Sequence, residues 1–216
     1  MENINQPQTE IKVILFSLQH HALHVLVHTQ SSDDWEYFPS KDIQSELSLE
    51  GSALACLKNF LPAEEIYLEQ LYTYGDEIDG GNQRLISIVY YALLPNNKTE
   101  LSSNQAKWIP VQQNNHFSDN DKEILAYALR RLRYKLEYTA VGFELLPDTF
   151  SLSELQKTYE IILNEKLDKR NFRRRILQAN IIEPTPYRKT GEGRPATLYQ
   201  YRSDAVAEVK IRRLFP

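Results

Sequence analysis

Cysteine is nearly absent: one residue, Cys56, stands in 216. That excludes an intramolecular disulfide and fits a reducing cytoplasm, which is the expected location. Long hydrophobic runs are missing too. The longest uncharged apolar stretch, LISIVYYALL at residues 85–94, is about half of the roughly 20 residues a membrane helix needs, so no membrane span is expected. The first residues, MENINQPQTE, lack both a basic and an apolar region, so no signal peptide is expected. Metal motifs are also missing. His20, His21, His24 and His28 crowd into QHHALHVLVH, and strand alternation puts His24 and His28 on one face. Neither a Cys pair nor an H-E-x-x-H helix accompanies them, so neither a metal nor another cofactor is expected. GEGRPA lacks the Lys-Ser/Thr and the strand-to-helix setting of a phosphate-binding loop. Cys56 reads as a small core hydrophobe, and Trp35 and Trp108 as packing residues.

What is present is charge, unevenly placed. The formal net charge is −4, yet residues 151–216 hold 14 Lys+Arg against 8 Asp+Glu, while residues 1–150 hold 11 against 21. A basic segment attached to an acidic one suggests a polyanion-binding module joined to a different domain.

The first part alternates strand-like and helical patterns. IKVILFS (11–17) and LHVLV (23–27), separated by polar residues, predict a hairpin. LEGSALACLKNFL (49–61) predicts a helix with Leu54, Leu57 and Leu61 on its stripe, stopped by Pro62. YLEQLYTY (67–74) and RLISIVYYALL (84–94) predict strands, with GDEIDGGN as the turn between them. Ile124, Leu125, Ala128, Leu132 and Leu136 mark one face of a helix over 119–138. A mixed α/β domain follows, and the proline-bearing segment 142–150 sets the boundary: domains at 1–146 and 147–216.

Beyond the boundary, Ser151 and Glu154 form a capping box for a helix with Leu155, Tyr159 and Ile162 inward. Asp168 caps a second helix through about Gln178. A short strand at 181–183, the stretch PTPYRKTGEGRPA and the strand TLYQYR (197–202) complete the order of a winged helix-turn-helix. The second helix contains KRNFRRRIL, five basic side chains in nine positions. At 100° per residue Phe172, Ile176 and Ala179 fall within about 60° of one another, while Arg170, Arg173 and Arg174 lie opposite. Like charges at i, i+3 and i+4 repel, and cations near a helix N-terminus oppose its dipole. An external anion relieves both costs, and DNA supplies one. Arg170 and Asn171, in the first turn, suit base edges in the major groove, with Lys169, Arg173 and Arg174 beside them. Arg188, Lys189 and Arg194, around Gly191 and Gly193, suit a wing that touches phosphates or the minor groove.

DKRNFRRRILQANIIEPT with GEGRPATLYQY, and IYLEQLYTYGD with RLISIVYYALL, resemble the Nudix-related transcriptional regulators. The likeness covers about Ile11 to Arg202. It implies a Nudix-like α/β sandwich followed by a winged helix, homodimerisation, a double-stranded DNA operator, and a sugar or nucleotide-sugar effector. ADP-ribose-like NAD metabolites serve one branch of the family, sugars such as arabinose another. The Nudix box, G-x5-E-x7-R-E-U-x-E-E-x-G-U, is where this sequence departs. An ungapped fit puts Lys41 at the first Gly, Leu47 at the first Glu, Ala55 and Cys56 at Arg-Glu, Asn59 and Phe60 at the Glu pair, and Pro62 at the second Gly. Only Leu57 keeps its type. Nudix hydrolysis needs helix carboxylates to hold Mg²⁺, and Ala, Cys and Phe provide none. Glu46, Glu50, Glu64 and Glu65 lie in the wrong register for one helix face. The resulting expectation is a repressor whose Nudix-like domain senses without hydrolysing. Lys41, Asp76 and Arg84 are the expected effector contacts. The alternatives are a diphosphate hydrolase with displaced metal ligands and a non-specific nucleic-acid adaptor.

Overall fold

A computed structural model of the chain describes residues 7–29, 35–62, 65–79, 83–190, 195–202 and 204–205. These form two compact units. The first comprises the described residues up to 17, with 24–94 and 98–128; the second comprises 18–23, 95–97 and 129–205.

The first unit is built on a mixed sheet. Its path is β3 (Glu36–Tyr37), β2 (Ala22–Thr29), β1 (Gln8–Gln19), β6 (Gln83–Leu94) and β5 (Tyr67–Asp79), with β4 (Ser40–Asp42) along β1 and β7 (Ala106–Pro110) along β2. The parallel pair β1–β6 runs from Gln8↔Leu85 to Ser17↔Leu94. Both strands are rich in branched and aromatic residues because helices cover the two faces. On one face Ile11, Val13 and Leu15 pack with Tyr90, Ala92 and Leu94 and with Ala53, Cys56 and Leu57 of α1 (Leu49–Leu57). On the other, Lys12 reaches Asp121 of α2 (Asp119–Tyr138). Ser118 starts α2, its Oγ accepting the Asp121 N–H, and all five residues of the expected stripe are buried.

Three sequence expectations need correction here. α1 ends at Leu57 rather than near residue 61, and Leu54 is only half-buried, because the buried face is Ser52, Ala53, Cys56 and Leu57. The expected turn GDEIDGGN is mostly strand: β5 continues to Asp79 and β6 begins at Gln83. Ten cross-strand pairs with register shifts at Gln70/Tyr72 and Tyr74/Glu77 hold that ribbon together, and bulges of this kind accommodate Gly and Asp that would otherwise end a strand. Trp35 is 49% exposed and is not a core residue, whereas Trp108 is part-buried and donates from Nε1 to the Thr99 carbonyl at 3.0 Å.

The β1–β2 hairpin forms as expected. Its two turn residues, His20 and His21, have φ of 47° and 66°, the left-handed conformation that a two-residue hairpin turn demands and that non-glycine residues enter at a cost. The other histidines of this motif pack. His24 is buried; His28 lies with its ring 5.3 Å from Phe60 and 5.8 Å from Tyr37, and burial lowers its pKa.

In the second unit the last turns of α2 lead through a 3-10 helix (Val141–Leu145) to α3 (Leu152–Leu163) and α4 (Lys169–Gln178), then to the antiparallel pair β8 (Ile182–Lys189) and β9 (Ala196–Tyr201). A bridge between Phe150 and Tyr199 adds the segment before α3 to this small sheet. Asn164 and Asn180, at φ 58° and 55°, terminate α3 and α4 in the left-handed conformation that asparagine tolerates best after glycine. The strand expected at 181–183 is longer than its signal, since residues 184–189, expected as loop, belong to β8.

Gly142 sits where this core is tightest. A Cβ there would lie 2.8 Å from Leu136 Cδ2 and 2.9 Å from Tyr159 Cε2, and both side chains are fully buried. Gly142→Ala is therefore expected to cost about 1–3 kcal/mol through overpacking. Urea unfolding measures it, and unchanged stability would show that the two side chains can yield.

Candidate nucleic-acid interface and ligand face

The helix-turn-helix is assembled by local caps and then locked by longer contacts. The Ser151 hydroxyl accepts the Glu154 N–H at 3.2 Å and Glu154 Oε2 accepts the Ser151 N–H at 2.9 Å, completing the expected capping box. Asp168 Oδ1 accepts the Asn171 N–H at 2.8 Å and starts α4. Between the helices, Glu160 Oε1 accepts the Leu167 N–H at 3.0 Å and a Gln156 amide hydrogen at 3.1 Å, and Gln156 also donates to the Leu167 carbonyl. The Leu167 N–H is the main reason the Glu160 carboxyl stays below the ordinary carboxylate range. Arg133 Nε donates to the Ile162 carbonyl at 2.8 Å, satisfying a group in the last turn of α3 that has no partner within the helix. The sequence reading missed these turn-locking residues; the Gln156–Glu160 spacing of i, i+4 is the one signal that could have revealed part of them.

α4 is two-faced. Phe172 and Ile176 are buried, and the Phe172 ring meets Tyr159 of α3 edge-on at 5.6 Å. Ala179, expected on the same face, is half-buried. Lys169, Arg170, Asn171 and Arg174 are exposed. Arg173 corrects the helix-wheel reading: it is half-buried and donates to Ser153 Oγ of α3 at 3.1 Å. The wheel treats α4 as isolated, whereas α3 covers that flank. Arg174 donates to Asn171 Oδ1 at 3.0 Å, so the Asn171 amide oxygen is already engaged.

Arg188 and Lys189 of β8 are exposed. Lys189 donates to Glu154 Oε1 at 2.5 Å, which makes the capping carboxylate of α3 also the anchor of the wing. Burial alone would raise the pKa of Glu154, but hydrogen bonds from Lys189 and from Ser151 outweigh it and hold it low. Arg194, Gly191 and Gly193 lie outside the described residues.

In the first unit Lys41, on β4, stands opposite Ile11, and Ile11 stands opposite Ile88 of β6. Register partners share a face, and Arg84 has the same parity as Ile88, so Lys41 and Arg84 both belong to the face covered by α1. Their backbones are about 16 Å apart, two strand spacings across and four residues along. Arg84 is exposed and Lys41 half-buried. Asp76 lies in β5 at the Tyr74/Glu77 register shift, and its side chain is outside the described residues.

The positions aligned with Nudix catalytic residues lie on and just after α1. Ala55 and Cys56 are in the helix, Asn59 is exposed beyond it, and Phe60 packs its ring on His28. Burial pushes the Cys56 thiol up to about 12, with Lys41 partly opposing that shift, so Cys56 stays a neutral core thiol rather than an anionic ligand. Ala63 and Glu64 lie outside the described residues. Among the described residues no three His, Cys, Asp or Glu side chains gather where they could hold a metal ion. A Nudix magnesium centre needs clustered oxygen ligands, and the donor set on α1 does not fit one.

Comparison with known proteins bears on both units. The NrtR DNA-binding winged helix domain family matches residues 142–201. The ADPR responsive transcriptional repressor NtrR of Acinetobacter baylyi is 27% identical over 210 residues, covering 90% of this chain and 82% of that protein. The crystal structure of Shewanella oneidensis NrtR complexed with a 27mer DNA superposes with a TM-score of 0.81 at 26% identity, over 91% of this chain and 94% of that one. A MutT/nudix family protein from Enterococcus faecalis shares the fold at TM-score 0.72 and 15% identity, over 94% and 89% of the two chains. Residues 142–201 thus match the NrtR DNA-binding winged helix family, and with a sandwiched mixed sheet upstream the chain is similar to NrtR-type Nudix-related transcriptional regulators along nearly its whole length.

Proposed function

We propose that the protein is a DNA-binding transcriptional repressor whose Nudix-like unit senses an ADP-ribose-like nucleotide-sugar and does not hydrolyse it. The observation that carries the DNA-binding half is the exposed cationic edge of a recognition helix whose opposite face is buried: a helix that concentrates like charge on an exposed edge is built for an external polyanion. Homodimerisation fits this role, since two winged helices read two half-sites of a pseudo-palindromic operator. Action on DNA fits a cytoplasmic location.

Two features support the effector half. Lys41 and Arg84 share one face of the sheet at a spacing suited to an elongated anionic ligand, and a neutral sugar such as arabinose would draw little from two cations. The related Acinetobacter repressor is named for its response to ADPR. Loss of hydrolysis is supported by Ala55, Cys56, Asn59 and Phe60, none of which offers a carboxylate where an ungapped fit of the Nudix box expects a ligand. The expected result is saturable binding of ADP-ribose by calorimetry, weakened by Arg84→Ala, with no Mg²⁺-dependent release of products. Rapid turnover would replace the sensor with a hydrolase, and binding of arabinose in preference to ADP-ribose would refute the ligand class.

A further inference from the structure

The wing contains a built feature that the basic residues alone do not explain. β8 and β9 pair in register from Ile182↔Tyr201 to Pro184↔Tyr199 and again at Arg188↔Thr197 and Lys189↔Ala196. Between those blocks Thr185, Pro186 and Tyr187 oppose Leu198 alone, so the strand bulges by two residues. Bulges bend a strand and re-aim a side chain. This one is stiff. Pro184 and Pro186 have fixed φ and no N–H to satisfy, while the Thr185 hydroxyl donates to the Leu198 carbonyl at 3.1 Å and accepts the Tyr187 N–H at 3.3 Å.

The product of the bulge is Tyr187, the most exposed large hydrophobic side chain among the described residues at 67%. A lone exposed aromatic needs no explanation, but an aromatic held out by a pinned bulge beside two exposed cations, Arg188 and Lys189, is different. Tyr187 lies at the end of the bulge, two residues before Lys189 on β8. The Lys189 amine reaches Glu154 in the first turn of α3, so this stretch of the wing adjoins the helix-turn-helix. Residues 187–190 carry two cations and no acidic group; with Lys189 paired to Glu154, Arg188 still leaves the stretch net positive, which favours a polyanion.

We propose that Tyr187 is a duplex contact of the wing, its ring packing on a backbone deoxyribose and its hydroxyl donating to the adjoining phosphate. This rests on the DNA-binding reading above and deepens it by naming a contact the basic residues do not supply. Sugar and phosphate are the same at every base pair, so the contact adds affinity and register without choosing sequence.

The test uses the full chain and a pool of random duplexes of about 30 base pairs, long enough for two half-sites, with fluorescence anisotropy at low salt. Tyr187→Ala is expected to weaken binding about tenfold and Tyr187→Phe about threefold. Tyr72→Ala, removing an aromatic 58% exposed on β5, is expected to change nothing. A photoreactive benzoyl-phenylalanine at position 187 is expected to crosslink to the duplex. Binding by Tyr187→Ala within twofold of the unaltered chain, or a crosslink to protein only, overturns the proposal while leaving DNA binding intact. Failure of the unaltered chain to bind any duplex removes the DNA-binding reading and this contact together. Unchanged thermal unfolding in Tyr187→Ala confirms that the effect is on the complex.

Discussion

Arg170→Ala is expected to lose roughly 5- to 150-fold in discrimination between operator and scrambled duplex, the equivalent of one bidentate guanine contact. The structure concentrates this expectation on Arg170. Of the side chains the sequence assigns to the DNA face of α4, Arg173 is drawn onto Ser153 and the Asn171 oxygen is occupied by Arg174. Arg170 is exposed at the second residue after the Asp168 cap, in the turn from which recognition helices present side chains to base edges. Its exposed guanidinium can offer paired donation to guanine O6 and N7. Lys189→Ala provides the comparison: if Lys189 contacts phosphate, its removal is expected to weaken all duplexes alike, and by less, because Lys189 must first leave Glu154. Competition binding against both duplexes at two salt concentrations measures both variants. A uniform loss for Arg170→Ala, indistinguishable from that of Lys189→Ala, would refute the division of roles.

Lys12→Met is expected to destabilise the first unit by about 3–5 kcal/mol, as removal of one member of a buried ion pair does. Lys12 lies on β1, inside the sheet, with its side chain 12% exposed. Its ammonium is 2.9 Å from Asp121 and 3.8 Å from Glu10, whose side chains are 7% and 15% exposed. Ser87 Oγ donates to Glu10 at 2.6 Å, which satisfies one carboxylate oxygen but leaves the charge. Without Lys12 two carboxylates remain together in a poorly solvated site. Asp121 also stands in the first turn of α2, where the dipole and the Ser118 cap favour it, so the pair fixes that helix end to the sheet. A denaturant double-mutant cycle with Asp121→Asn checks the account: the double variant should be clearly more stable than additivity allows. Additive losses would mean that Lys12 acts through packing of its methylenes alone.

The legible parts of this protein share a physical origin. Ser151 with Glu154 and Asp168 with the Asn171 N–H are contacts over three residues, fixed by backbone geometry, so the starts of α3 and α4 could be read directly. The stripe of α2 depends on a period that any covered helix shows. The expected loss of Nudix carboxylates rests on residue identity at the positions an ungapped fit assigns. The length of the β5–β6 ribbon was not legible, because Gly75, Asp76 and Asp79 have poor strand propensity and only the partner strand, with its bulges, keeps them extended. The same holds for Thr185–Tyr187, which read as loop until Leu198 pinned them into the wing.

Charge separation, helix caps and the two-faced basic helix were determined by the sequence alone, since each lies in residue identity or in contacts within one turn. Only the tertiary structure decided which cations remain available. Ser153 and Glu154 lie 20 and 35 residues from Arg173 and Lys189, and contacts at such separations exist only after the chain has brought α3, α4 and β8 together.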